Sequence, residues 1–258
     1  RMLVLLSCAK TMSAVSKVKV PLTTSPRFQK EAAEIALQMS QFSVDELERL
    51  LRVNAKIAVE NYKRYQAFHA EATPELPALL AYTGIVFKRL NPKDFSAEDF
   101  GYAQEHLRLT SFCYGLLRPL DVIRAYRLEG DVVLPELGNQ TLFFYWRSRL
   151  TDTFIEDIRS AGGILCNLAS DEMKSLFDWK RVESEVRVVT PEFHVWKNGK
   201  LATIVVYTKM SRGEMTRFIL KNKIGNPEEL KGFSWEGFEF DESLSDERKL
   251  VFINGMGE

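Results

Sequence analysis

Four arginines, Arg108, Arg118, Arg124 and Arg127, fall within twenty residues in which Asp121 is the one acid. A guanidinium presents a planar fork of donors that matches phosphate and carboxylate oxygens, so this composition reads as an anion-binding element. Gly115 permits a turn at positive φ, and Pro119 stops a helix from running through. Together they suggest a helix-hairpin-helix carrying Arg108, Arg118 and Arg127. Such an element holds duplex DNA without reading sequence, by offering backbone N–H groups and a nearby base to phosphates. Lys209, Arg212 and Arg217 repeat the cationic theme further on.

A second set is polar and compact. Ser7 and Lys10 follow the apolar run Met2 to Leu6, and Asn167, Ser170 and Glu172 follow the apolar run from Ile164. With Lys209 they could line a pocket for a nucleotide or other phosphorylated small molecule, Lys10 or Glu172 moving protons there. The same residues also have plainer uses. Asn and Ser commonly hold turns and cap helices, and each cation could be paired inside the fold with Asp121, Glu129, Asp171 or Glu172.

No catalytic signature is present: no Gly-x-Ser-x-Gly, no phosphate loop, no dinucleotide glycine fingerprint and no His-Glu-x-x-His. No residue is therefore assigned as catalytic, and neither a cofactor nor a metal is expected. Cys8, Cys113 and Cys166 are odd in number and unrelated in spacing, which fits neither a disulfide framework nor a zinc site.

Positioning such residues falls to a mixture of helices and strands. Met2 to Leu6 and Ile164 to Leu168 read as buried strands, each opening into a polar loop. Helices are expected over 25–41, over 44–52 behind Ser43 and Glu46, over 54–68, over 96–110 behind Ser96 and Asp99, over 141–161, and over 211–224. The pair joined at Val53-Asn54 is another candidate helix-hairpin-helix. Asn198-Gly199 predicts a tight hairpin between strands 186–196 and 201–207, with closing strands near 238–240 and 250–253. No linker divides the chain, so residues 1–258 read as one α+β domain.

Lysine plus arginine and aspartate plus glutamate each number 35, so no global field draws the chain to nucleic acid or membrane. The distribution is uneven: residues 197–231 carry an excess of five positive charges, and 232–258 an excess of five negative. No apolar run reaches a signal core or a membrane span, so a cytoplasmic protein is expected.

The segment from His106 to Glu129, with Ser7-Cys8-Ala9-Lys10, Asn167-Leu168-Ala169-Ser170-Asp171-Glu172 and Tyr207-Thr208-Lys209-Met210-Ser211-Arg212-Gly213, resembles the YaaA family of bacterial peroxide-stress proteins. The resemblance runs from Met2 to about Phe252, and Arg1 is expected to be an addition ahead of the natural start. It implies an α+β fold peculiar to the family, with a basic cleft and a helix-hairpin-helix. It also implies protection of DNA, limitation of free iron and association with recombination repair. Lys10, Arg108, Arg118, Arg127, Lys209, Arg212 and Arg217 match the family's motifs, and they are the expected contacts to duplex or branched DNA. The alternative is an enzyme acting on a nucleotide or phosphorylated small molecule in a cleft lined by Ser7, Lys10, Asn167, Glu172 and Lys209, with Ser170 in the same small-ligand pocket. Cys8, Phe112 and Met173 depart from the family pattern.

Overall fold

Five consecutive apolar residues form β1 (Met2–Leu6), and all five are buried, as a strand covered on both faces requires. It lies at the centre of the computed structural model of this chain, which describes residues 1–257. On one side β1 pairs in parallel with β3 (Leu107–Ser111), which turns back into antiparallel β4 (Gly115–Leu117). On the other side it pairs in parallel with β8 (Ile164–Asn167), Leu5 lying opposite Asn167. Beyond β8 come β9 (Arg187–Lys197), parallel β12 (Lys249–Gly257) and antiparallel β11 (Phe238–Phe240). The hairpin partner of β9 is β10 (Lys200–Ala202). Two small ribbons complete the strands, β2 (Leu76–Pro77) with β5 (Val122–Ile123), and β6 (Val133–Leu134) with β7 (Gln140–Thr141).

Helices fill the connections. Between β1 and β3 come α1 (Gln29–Met39), α2 (Val44–Leu51), α3 (Ala55–Ala67), α4 (Ala78–Ala81), α5 (Ile85–Leu90) and α6 (Ala97–His106). Then follow α7 (Leu142–Ala161) before β8, α8 (Trp179–Glu185), α9 (Val205–Asn222) and α10 (Pro227–Leu230). The starts of α2 and α6 are fixed by capping boxes, Ser43 with Glu46 and Ser96 with Asp99, as their sequences predict. The turn at Asn198 and Gly199 takes φ of 53° and 74°, the double positive φ of a tight primed hairpin. One connected apolar core runs through the sheet and its helices.

The chain is thus a mixed α/β fold, as the mixture of long helices and strands suggested, and its strands β1, β3 and β8 are parallel and crossover-linked. The clearest correction concerns residues 106–127. The apolar stripe Phe100, Ala103, Leu107 suggested a helix to Thr110, but α6 stops at His106 and 107–117 is a β-hairpin. Its three-residue loop, 112 to 114, leads into Gly115 at φ +76°, where a Cβ would stand 2.7 Å from the Trp146 ring. Trp146 Nε1 also donates to the Phe112 carbonyl at 2.7 Å, locking the loop against α7. No helix-hairpin-helix exists at Arg108 to Arg127. The other candidate is a helical hairpin, α2 and α3, turned through Arg52 at φ 53°. The helix expected over 211–224 begins six residues earlier, at Val205, so the preceding strand is short and ends at Ala202.

The approach of α9 to α5 is set by Gly213. A Cβ there would lie 2.3 Å from the Val86 carbonyl oxygen and 2.8 Å from the Arg89 Cβ. Alanine in a helix gains up to about 1 kcal/mol over glycine, but overpacking against rigid backbone costs about 1–3 kcal/mol. Gly213→Ala is therefore expected to lower stability despite its better helix propensity, and urea denaturation followed by circular dichroism measures this.

Candidate functional site

Chain direction at the sheet centre creates the site. After β1 the chain leads to β3 on one side, whereas after β8 it leads to β9 on the other. Loops that leave adjacent parallel strands in opposite directions part, and ligands bind in the crevice between them. Here the loop after β1 carries Ser7 to Lys10 and the loop after β8 carries Asn167 to Glu172. The Ser7 hydroxyl stitches them, accepting from the Ser170 backbone N–H at 2.8 Å and donating to the Ser170 hydroxyl at 3.3 Å. Asn167 is buried, and its Oδ1 accepts from the Ala169 N–H at 3.1 Å. It shapes the turn and does not line the crevice.

The crevice encloses a cavity of about 450 Å³. Ser7, Lys10, Arg127, Ser170, Glu172, Lys209 and Arg212 all border it. Lys209 and Arg212 are three apart on α9, hence on one helix face. Arg127 enters on a segment outside the helices and strands whose residues Tyr126 and Leu128 are buried, and the Tyr65 hydroxyl donates to the Arg127 carbonyl. Below the cavity the Tyr126 hydroxyl joins those of Tyr82 and Ser111 in a buried chain.

The charges divide unequally. Lys10 Nζ lies 2.8 Å from Glu129 Oε1. Among the described residues, Arg127, Lys209 and Arg212 have no ion-pair partner, and the Arg127 Nε is buried without a hydrogen bond. Burial pulls the Arg212 guanidinium below its ordinary pKa, with Asp171 the acid that opposes this. Glu172 stands at the exposed rim. Partial burial of its carboxyl, then the nearby Glu129, holds it above the usual carboxylate range against the pull of Lys10. Cys8 borders the cavity too, but burial pushes its thiol up to about 12, so it is neither a thiolate nor a ready nucleophile at neutral pH.

The structure places the other expected cations elsewhere. Arg108 Nε bonds Asp157 Oδ2 at 2.7 Å and its Nη1 bonds the Gln104 and Leu107 carbonyls. Arg118 holds Asp121 at 2.9 Å and the Ser25 carbonyl. Arg217 holds Asp94 and the carbonyls of Leu90 and Asn91. In all three, two of the guanidinium nitrogens are engaged in ion pairs and carbonyl bonds that tie the fold together. Among the described residues, no group of three or more His, Cys, Asp or Glu is arranged to hold a metal. No helix among them is long and apolar enough to cross a membrane.

Asp157 joins two arginines, because Arg27 also grips it, at 2.9 and 2.7 Å. Asp157→Asn would leave the nearly buried Arg108 without its counter-ion. A loss of about 3–5 kcal/mol is expected in chemical denaturation, the usual effect of breaking a buried pair from one side.

A family model described as peroxide stress protein YaaA matches residues 2–244. A UPF0246 protein of Bacteroides thetaiotaomicron is 99% identical over 257 residues, covering all of both chains. Similar proteins of the same description occur in Phocaeicola vulgatus, 63% identical over 97% of this chain and 98% of that one, and in Crocosphaera subtropica, 38% identical over 98% and 100%. With the match spanning nearly the whole sequence, the chain belongs to the peroxide stress protein YaaA family.

Proposed function

We propose that this protein serves the peroxide stress response by binding a phosphate-bearing small molecule in the cavity between the ends of β1 and β8. One observation carries the reading: Arg127, Lys209 and Arg212 border the same enclosed space without a protein counter-ion. Arg127 and Arg212 are half-buried, and unpaired charge partly withdrawn from water costs free energy unless a ligand compensates it; a phosphate offers oxygens to both guanidinium forks and to the exposed Lys209 ammonium at the rim. The Ser170 hydroxyl, which accepts from Ser7 and borders the cavity, keeps its own proton as a neutral donor. Glu172 and the Lys10–Glu129 pair stand where protons would be moved if the bound molecule reacts.

DNA protection by phosphate contacts is the second reading, favoured by an open groove beside the cavity bordered by Lys17, Lys19, Lys88 and Lys93 with no acid. It has lost Arg108, Arg118 and Arg217 to internal pairs, and the helix-hairpin-helix at Gly115 with them. Limitation of free iron and a link to recombination repair would follow from either ligand only indirectly.

Calorimetry with sulfate and with adenosine monophosphate tests the first reading. Binding by the native chain is expected, with a roughly tenfold or greater loss for Arg127→Gln or Arg212→Gln, the usual worth of one charged hydrogen bond. No binding of either anion, or equal binding by both variants, overturns it. For DNA, fluorescence anisotropy with duplex and four-way-junction DNA should show affinity falling with salt, at a slope near one per phosphate contact. Binding that ignores salt overturns that reading.

Glu172 adds a pH signature. Its raised carboxyl becomes neutral as pH falls from neutrality through its pKa, removing negative charge from the rim while the arginines stay charged. Sulfate, which does not titrate there, is expected to bind more tightly at lower pH, and Glu172→Gln to flatten that dependence. A slope unchanged in the variant assigns the effect to another group.

A further inference from the structure

The groove of about 1260 Å³ beside the cavity has features that the cavity's ligand alone does not explain. Lys17, Lys19, Lys88 and Lys93 are exposed along it, no Asp or Glu lines it, and none of the four has an ion-pair partner among the described residues. Its floor is apolar, built from Leu79, Leu80, Phe87 and Phe95, all but Leu80 buried. One wall is the segment 13–19 of the long loop between β1 and α1. That loop is anchored at both ends, by Ser13 N–H to the Ala81 carbonyl at 2.8 Å and by Thr24 N–H to the Leu120 carbonyl at 2.9 Å. Between the anchors its hydrogen bonds are short turns made by Ser13 and Ser16 onto the same segment.

The cavity and groove share Thr83, Gly84, Ile85 and Phe87 as a common border. At Gly84 that border is exposed and has no side chain, and its φ of +112° is one that other residues rarely adopt. A ligand held by its end in the cavity can therefore pass over Gly84 onto the apolar floor, with lysines on either side.

We propose that the groove binds the distal part of the same molecule, which is thereby an elongated anion. It carries a terminal phosphate for Arg127, Lys209 and Arg212, further negative charges for the lysines, and a flat apolar body for the floor. That is the chemistry of a nucleoside polyphosphate. The assignment rests on the cavity being the phosphate site. Charge complementarity selects an anion over an apolar peptide, and the apolar floor selects a body that bare phosphate chains lack. The loop from residue 13 to 19 would fold its two lysines onto that body.

Calorimetry with three probes separates the steps: inorganic phosphate, inorganic triphosphate and adenosine triphosphate. The native protein is expected to bind all three, adenosine triphosphate the tightest. The exposed lysines can be changed together, Lys17→Ala, Lys19→Ala, Lys88→Ala and Lys93→Ala. This variant should bind adenosine triphosphate roughly tenfold more weakly, a few tenths to one kcal/mol per exposed charge, with phosphate affinity nearly unchanged. A second variant confined to the loop, Lys17→Glu with Lys19→Glu, should act in the same direction and guards against misfolding of the first. Failure of phosphate to bind refutes the cavity reading itself. Phosphate binding with equal affinity for triphosphate and adenosine triphosphate, or with both variants unaffected, overturns the groove assignment alone. Duplex DNA binding that the variants lose while adenosine triphosphate binding persists gives the groove to DNA and overturns it as well.

Discussion

The parallel pairing of β1 with β8 is the constraint on which the rest depends. Because the pair is parallel, both chains leave at the same end of the sheet. Because their next strands lie on opposite sides, the two exits diverge. Ser7 and Ser170 then meet across the gap, and the remaining lining residues only have to approach its rim. Helix α9 brings Lys209 and Arg212 there because Gly213 lets it lie directly on the Val86 backbone. Arg127 comes from a segment pinned through buried Tyr126 and Leu128. Lys10, Arg127 and the α9 pair Lys209 and Arg212 reach the cavity from three separate parts of the chain, so the convergence is a property of the fold and not of any one motif.

The distribution of counter-ions gives the site its character. Arg27 and Arg108 share Asp157, Arg118 has Asp121, Arg124 has Glu75 and Arg217 has Asp94. Several of these also satisfy carbonyls at loop ends, so their charge serves to tie distant segments together. Arg108, Arg118 and Arg124, which are withdrawn from water, each have an acid, so two half-buried guanidinium groups without one at the same cavity, Arg127 and Arg212, are informative. Desolvating a guanidinium costs several kcal/mol, and a chain that pairs its other buried arginines could have placed an acid here as well.

Much of this was legible before any coordinates. The strands Met2–Leu6 and Ile164–Asn167 announce themselves as apolar runs ending in polar loops, the two capping boxes by Ser43 and Ser96, and the β9–β10 turn by Asn198-Gly199. What failed was the stretch 107–117. There the helical stripe of α6 continues for one more turn in the sequence, and the strand that replaces it is buried on both faces, so no alternation marks it. The arginine cluster misled for a related reason. Arg118 sits three residues from Asp121, a partner that the sequence already offered, whereas only folding brings Asp157 to Arg108. The lysine groove was missed although a signal existed: the first acid in the chain is Glu31, and residues 76–93 contain none. Absence of acids is harder to notice than a cluster of bases, yet it is what leaves a lysine without a partner.

The cavity also bears on how a peroxide-stress protein would sense its stress. A thiol that reacts with peroxide must be a thiolate, favoured by nearby cations and some exposure. Cys8 borders a cavity containing Lys10, Arg127, Lys209 and Arg212 and still has its thiol pushed up to about 12. Burial dominates, and the carboxylates of Glu172 and Glu129 add to it. Cys113 and Cys166 are fully buried, with their thiols raised by burial alone. Direct oxidation of a cysteine is thereby disfavoured on electrostatic grounds at the one place where geometry would have allowed it. Under the proposed function the connection to peroxide runs through the anion bound in the cavity, and that ligand's identity then decides the chemistry.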